Sequence, residues 1–416
     1  MKRKKVIIFD PVCGIYKGHN LPTIQKYAKW ISENLNHECE AWVAINKLPS
    51  NNELTFKKIP WVYSYWLYEN LSMKDEIKAR NRVIKNDSIS QVIGNVMQHK
   101  SAQNKIEKAL EEASNTNPEF IFFPGADFYS LTSILTLAKK ERFSKNTIII
   151  VRLMGVMEWA TKLPRAHEII DQVIFDIKIL LGNRVRFTAE TEKYAFKLSS
   201  ITNSQVPVTS IPNETPSIIH NKGKIKTDNK TKNTVTLACL GGARPDKGYF
   251  DLLNICHKTI DKFNSAHSIN IQFKIQSMSP ASIEYNWAYQ TELSRLSSIK
   301  LLKPRLTDEE LNSEILASDI IFLPYSEGTY ANRGSAILFD TLPFGKPILG
   351  VAGTGYGDTI MHAGLGLTYS GIDDYINRLT DLINLSPIQH EKIIKNQREY
   401  SDKLLTNLKE CFNEQA

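Results

Sequence analysis

Short apolar runs alternate with helical patterns along most of this chain, and that alternation constrains its fold more than any other feature. Val6-Ile-Ile-Phe9 is followed by Leu21, Ile24, Tyr27, Ala28, Ile31 and Leu35 at helical spacing, and then by Ala41-Trp-Val-Ala-Ile45. A strand that must return parallel to its predecessor needs a long crossover, most simply a helix, so the pattern predicts parallel sheets covered by helices. A polar helical stretch from Met73 to Ala113 interrupts the rhythm before Phe120-Ile-Phe-Phe123 and Thr147-Ile-Ile-Ile-Val151 resume it. Around 217–234 the chain turns lysine-rich, with Lys222, Lys224, Lys226, Lys230 and Lys232, and then the alternation restarts at 234–239, 270–276, 299–302, 320–323 and 347–351. The expected fold class is therefore α/β, with two Rossmann-like doubly wound domains over 1–216 and 235–386. A helical insertion at about 71–115, a linker at 217–234 and closing helices at 387–416 complete the organisation. Two such domains facing across a cleft would place their functional loops at the carboxyl ends of the strands.

Composition narrows the function classes. The 416 residues are 42% hydrophobic and 23% charged, so both halves should fold, and 52 basic against 44 acidic residues give a net charge of +8 that favours anionic partners. The cations are dispersed and no recognised nucleic-acid module appears, which disfavours nucleic acid as a partner. Cys13, Cys39, Cys239, Cys256 and Cys411 form an odd set without a C-x-x-C pair, so they read as free thiols of a reducing, cytoplasmic compartment rather than as a disulfide framework or a zinc site. The basic N-terminus precedes an apolar run that Asp10 and Pro11 interrupt, and no segment approaches 18 apolar residues. The expected protein is soluble, or peripheral to a membrane.

Leu240-Gly241-Gly242-Ala243-Arg244-Pro245-Asp246-Lys247-Gly248 lies after a strand and leads into a helix expected around Tyr249 to Ile255. Two glycines allow close backbone approach, Arg244 offers a planar fork, Lys247 adds a point charge and a helix N-terminus adds its dipole, a set that suits a diphosphate. A tight turn with two solvated cations is the other reading. A second segment, Ser318 to Leu349, reads as strand, glycine-bearing loop, helix, turn and strand, and it carries Glu327, Asn332, Arg333, Gly334, Ser335 and Asp340. Backbone amides near Gly334 and Ser335 can hold anionic oxygens and an acid one turn on can accept bonds from vicinal hydroxyls; equally, Ser335 can be an N-cap and Asp340 a solvated helix residue. Arg305 is grouped with these donor-binding candidates. Thr307 with Glu310 reads as a capping box.

The order G-G-A-R-P-D-K-G, T-D-E-E-L, A-S-D-I-I-F-L-P-Y, F-D-T-L-P-F-G-K-P-I-L-G and G-T-G-Y-G-D resembles the nucleotide-sugar domain of GT-B glycosyltransferases, closest to family four, over roughly Val235 to Gly366. The N-terminal half is similar more loosely, through Gly18-His19, 186–192 and Ile211-Pro-Asn213. The resemblance implies that Arg244 and Lys247 bind the donor diphosphate and stabilise its departure, with Asp340 at the acid that holds the ribose hydroxyls. It also implies donor contacts at Gly18, Gly242 and the loop from Glu327 to Ser335. In one register the first acid of the family's pair falls on Asn332, in the other Glu327 is the first and Ser335 stands at the second. Arg152-Leu-Met-Gly155 replaces the family's histidine, so Arg152 either holds an anion or pairs with a nearby acid.

His19 and Asp127 complete the catalytic candidates, His19 at the mouth of the first-strand loop and Asp127 after a strand, where it either orients an acceptor hydroxyl or caps a helix. The resemblance implies transfer from a nucleotide-diphosphate sugar to a glycan or lipid-linked acceptor with retention, without a cofactor and without metal, since no Asp-x-Asp pair follows a strand. Surface polysaccharide or lipopolysaccharide assembly is the expected setting; lysines and the Trp61, Tyr63, Tyr65, Trp66 and Tyr68 cluster could meet the inner leaflet there, although a core hairpin is the favoured reading of that aromatic cluster. An inverting transferase, a nucleotide-sugar epimerase and a non-catalytic scaffold are the alternatives.

Overall fold

The computed structural model describes residues 3–13, 20–45, 54–60, 96–155, 166–213, 234–266, 269–280, 282 and 284–413. They form two compact units. The first contains residues up to Glu190, Tyr194–Thr209 and Thr406 onward; the second contains Thr191–Lys193 and Ser210–Leu405.

The sheet of the first unit has β1 (Lys5–Asp10) at its centre, flanked on one side by β2 (Glu38–Val43) and β3 (Thr55–Lys58) and on the other by β4 (Phe120–Phe123), β5 (Ile148–Leu153) and β6 (Val185–Ala189). The second sheet repeats this order around β7 (Thr234–Cys239), with β8 (Asn270–Gln276) and β9 (Ile299–Leu302) on one side and β10 (Ile320–Leu323), β11 (Ile348–Val351) and β12 (Gly366–Tyr369) on the other. Every strand pair is parallel. The continuous apolar sequences of β4 and β10, all four residues buried in each, follow from helices covering both faces. In each sheet the order reverses next to the central strand, between β1 and β4 and between β7 and β10. Loops leaving the carboxyl ends of those strands diverge there and open a crevice.

Strands β3, β6 and β12, all at sheet edges, were not legible as apolar runs. Thr55-Phe-Lys-Lys58 is exposed at both ends and half-buried between, and Gly366-Leu-Thr-Tyr369 is mostly half-buried, because an edge strand has a neighbour on one side only. The helices that position functional loops are α1 (Asn20–Leu35), α2 (Val96–Asn115), α3 (Phe128–Lys139), α4 (Ala166–Leu181) and α5 (Glu192–Thr202) in chain order. After β7 come α6 (Leu252–Ala266), α7 (Trp287–Arg295), α8 (Asp308–Leu316), α9 (Glu327–Tyr330), α10 (Ala336–Thr341), α11 (Gly355–His362), α12 (Ile372–Ile383) and α13 (Pro387–Cys411). Thr307 and Glu310 form the capping box of α8.

One helix, α13, occupies the closing segment, and its last turns belong to the first unit. There Phe412 packs edge-on against Phe120 and Phe122 at 5.2 and 5.8 Å, and Arg186 donates to the Cys411 carbonyl at 2.8 Å. Residues 71–95 of the helical insertion and 217–233 of the linker lie outside the described residues, as does the Trp61–Tyr68 aromatic cluster ahead of the insertion.

Candidate functional site

The loop after β7 owes its shape to three residues. Arg244 precedes proline and is extended, φ −151° and ψ 156°, because the ring of Pro245 disfavours a helical residue before it. Pro245–Lys247 then make one 3-10 turn, which Gly248 closes in the left-handed region at φ 68°. A second 3-10 turn, Tyr249–Asp251, precedes α6, which begins only at Leu252. The helix expected from Tyr249 therefore starts five residues beyond Lys247, and the helix dipole expected at the cations acts farther along the chain. The left-handed Gly248 ends the first turn, and the second 3-10 turn takes up Tyr249–Asp251 before the helix.

Arg244 is held on a frame of its own neighbours. Its Nε and Nη2 donate to the two carboxylate oxygens of Asp246, both at 2.9 Å, and Nη2 also donates to the Tyr330 hydroxyl at 3.2 Å. Arg333 lies over the Tyr330 ring, 5.4 Å from its centroid, and the Lys247 ammonium lies 5.1 Å from the centroid of the fully buried Tyr325. Tyr325, Tyr330 and Tyr356 stack against one another at 4.8 to 5.8 Å, giving the cations a rigid aromatic floor. Gly241 lies against this set at φ 89°, where a Cβ would stand 2.8 Å from the Lys247 Nζ. Over Gly242 there is open space, so an approaching group can reach the backbone. Gln276, at the end of β8, accepts from the Gly241 amide at 2.7 Å and donates to the Pro304 carbonyl at 2.8 Å, fixing the first glycine and the loop that carries the exposed Arg305.

Burial and the neighbouring Arg244 push the Lys247 amine down to about 8, with Asp246 opposing and Arg333 assisting. A bound anion needs the ammonium form. Affinity for pyrophosphate is thus expected to fall as pH rises through about 8, and titration calorimetry at pH 7 and pH 9 checks this; equal affinities would show that Lys247 does not contact the anion.

The remaining candidates of the second unit spread over the loop after β10. Ser335 caps α10, accepting from the Leu338 amide at 3.4 Å, and Asp340 is half-buried one turn on. Arg333 is half-buried and Gly334 buried. The Asn332 carbonyl accepts from the Thr191 hydroxyl at 2.8 Å, and its backbone lies against Gly355. Glu327 is exposed, its carboxylate so near Gly353 that a Cβ there would stand 2.9 Å from Oε1. The structure thus brings Gly241, Arg244, Lys247 and Arg333 to one tyrosine floor, leaves open space over Gly242, and puts Glu327 against Gly353 after β11.

In the first unit the switch point carries two acids, Asp10 buried and Asp127 half-buried. Asp10 ends β1, and its Oδ1 accepts from the amides of Val12 and Cys13 at 2.9 and 3.0 Å. Burial lifts its carboxyl to about 7, opposed by those amides and assisted by the charge of Asp127. Asp127 caps α3 through Ser130, whose amide donates to Oδ1 at 2.9 Å, while Asp127 Oδ2 is a buried atom with no hydrogen-bond partner among the described residues, and burial raises this carboxyl too. Arg152 is buried and donates to Thr209 and Pro124 carbonyls, both at 3.0 Å, and to Glu190 at 3.1 Å, so its donors serve the protein itself. Gly18 and His19 lie outside the described residues. Sequence reasoning passed over Asp10, Asp246, Gln276 and Tyr330. Asp10 had one signal, an acid closing an apolar strand ahead of proline.

Two six-stranded parallel sheets of the same doubly wound order, each with polar residues at its switch point, give this chain the GT-B fold. No family model and no curated protein matches the chain in sequence. Solved structures match over almost its whole length. A UDP-forming α,α-trehalose-phosphate synthase from Burkholderia xenovorans superposes with a TM-score of 0.62 at 9% identity, covering 99% of this chain and 100% of that one. A trehalose-6-phosphate synthase studied for glycosyl transfer with retention gives 0.62 at 12% identity over 98% and 97% of the two chains. An E. coli trehalose-6-phosphate structure bound with UDP-2-fluoro glucose gives 0.63 at 12% identity over 98% of each. At these identities the likeness is one of fold.

Proposed function

We propose that the chain is a GT-B glycosyltransferase that moves a sugar from a nucleoside-diphosphate donor, UDP first among the candidates, to an acceptor hydroxyl with retention of configuration. The carrying observation is the cluster of Arg244, Lys247 and Arg333 on the tyrosine floor at the switch point of the second sheet. Fixed cations aimed at a leaving diphosphate are worth most when charge develops there, and their positions cost no reorganisation during the reaction. In a front-face retaining transfer the departing phosphate oxygen takes the acceptor proton, so the protein supplies positioning and electrostatics rather than a nucleophile. Asp340 is assigned the ribose hydroxyls, Asn332 a donor-sugar hydroxyl, and Gly242, Gly334 and Ser335 the diphosphate amides, while Glu327 and Arg305 border the donor. On the acceptor side the reading assigns Asp127, with Gly18 and His19.

Retention is supported both by the family-four resemblance and by the synthase studied for it. A UDP-forming transfer onto a phosphorylated sugar follows the structural neighbours, whereas surface polysaccharide or lipopolysaccharide assembly at a membrane has only the sequence resemblance behind it. Among the described residues no helix is long and apolar enough to cross a membrane and no disulfide joins Cys13, Cys39, Cys239, Cys256 or Cys411, and unbridged cysteines suit the cytoplasm.

The test is calorimetric titration with UDP, GDP, ADP and CMP, each with and without Mg2+. Metal-independent micromolar binding of one diphosphate is expected, followed by turnover of the matching nucleotide sugar with a sugar phosphate in preference to a lipid-linked acceptor. Absence of binding to all four would transfer the weight to a non-catalytic scaffold, and an inverted product anomer to an inverting enzyme.

A further inference from the structure

Asp246 lies among the three cations, and nothing in the proposed chemistry yet uses it. It spans both Nε and Nη2 of Arg244, while its own carbonyl accepts from the amide and hydroxyl of Ser326 at 2.9 and 3.0 Å. The turn after β7 is thereby tied to the loop after β10. Arg244 and Asp246 side chains are 43% and 24% exposed, and an ion pair so open to solvent adds little to stability. A two-bond fork does something else: it fixes the plane of the guanidinium, and the hydroxyl of Tyr330, itself only 2% exposed, fixes it from a second loop.

Resting on the reading that this loop binds a donor diphosphate, we propose that Asp246 is a positioning residue which orients Arg244 and relieves the repulsion among Arg244, Lys247 and Arg333, so that the cation set is preorganised before the donor arrives. The groups that face the Lys247 amine are Arg244 and Asp246 on its own loop, Cys239 from the end of β7, and Arg333 from the loop after β10, where Tyr325 also meets it. Among these, Asp246 is the leading influence that favours the ammonium form; the Cys239 thiol, pushed up to about 12 by burial, stays neutral at ordinary pH.

The test compares wild type with Asp246→Asn, Asp246→Glu and Tyr330→Phe in kcat, in UDP dissociation constant and in the pH at which UDP affinity begins to fall. Asp246→Asn is expected to lower kcat about tenfold or more, to change UDP affinity at pH 7 by less than about threefold because a lost repulsion offsets a lost orientation, and to move the alkaline limb to lower pH. Asp246→Glu keeps the charge and should restore the limb while recovering only part of kcat. Tyr330→Phe removes the second tether alone, so kcat falls and the limb stays. Should Asp246→Asn fail to fold, the other two variants carry the same contrast. Wild-type kcat and limb in Asp246→Asn, or tighter UDP binding with raised kcat, would overturn the inference and leave the donor-site reading standing. Failure of the wild type to bind any nucleoside diphosphate would remove both.

Discussion

Replacing Arg244 and Lys247 together with alanine is expected to abolish calorimetric binding of UDP and to leave turnover at background. Each cation acts as a charge-stabilising donor toward the leaving diphosphate, and loss of one such donor typically costs about 10²–10³ in kcat, roughly 3–4 kcal/mol. The two share a loop and one anion, so their losses will not simply add, and a single variant is expected to recover more than half of the double variant's defect. Retained UDP binding in the double variant would place the donor elsewhere. The fold should survive the change. Burial depresses Lys247 to about 8, below the ordinary lysine value, so between those two pH values the unfolded chain holds more protons than the folded one and stability rises with pH. Below about pH 8 the folded chain bears the whole cost of the buried ammonium. Lys247→Met is therefore expected to unfold at or slightly above the wild-type temperature near pH 7 while losing UDP, a pairing that separates the site from the scaffold.

Gly248→Ala should have the largest effect on stability of any single change in the donor loop. Gly248 sits at φ 68°, where alanine costs more than about 1 kcal/mol, and a Cβ there would stand 2.0 Å from the Pro324 carbonyl oxygen, a distance no real contact tolerates. The Pro324 strand end or the Arg244–Lys247 turn must move, and either displacement takes the cations out of register with Arg333 and Tyr330. Thermal unfolding and UDP titration should fall together. Gly248→Asn distinguishes the causes, because asparagine accepts left-handed φ yet brings the same Cβ. If asparagine is tolerated and alanine is not, φ alone sets the requirement and the close approach to Pro324 is slack.

Much of the fold could be read from the chain because buried parallel strands advertise themselves. Phe120 to Phe123 and Ile320 to Leu323 are apolar at every position, since helices cover both faces of the sheet. Edge strands β3 and β12 lack that signal for the opposite reason, one neighbour and partial exposure, while buried β6 lacks it because Arg186 and Thr188 interrupt its apolar run. Arg244 and Lys247 were legible through the run of glycine, proline and cations after a strand. Tyr330 and Gln276 were not, because a tyrosine in a loop and a glutamine at a strand end have the same local sequence appearance whether they hold a site together or not.

The sequence alone determined where β7 ends, that Arg244 is extended ahead of Pro245, and that a turn with Gly248 at its close follows. Those are consequences of side-chain periodicity and of proline and glycine backbone sterics, which act over a few residues. Tertiary structure alone decided that Tyr330, more than 80 residues farther on, meets Arg244 and carries Arg333 over its ring, and that Asp246 forks the Arg244 guanidinium. It also decided that Asp10 and Asp127 share one end of the first sheet. Strand order sets these meetings, and strand order follows from the packing of whole sheets and helices rather than from any local pattern.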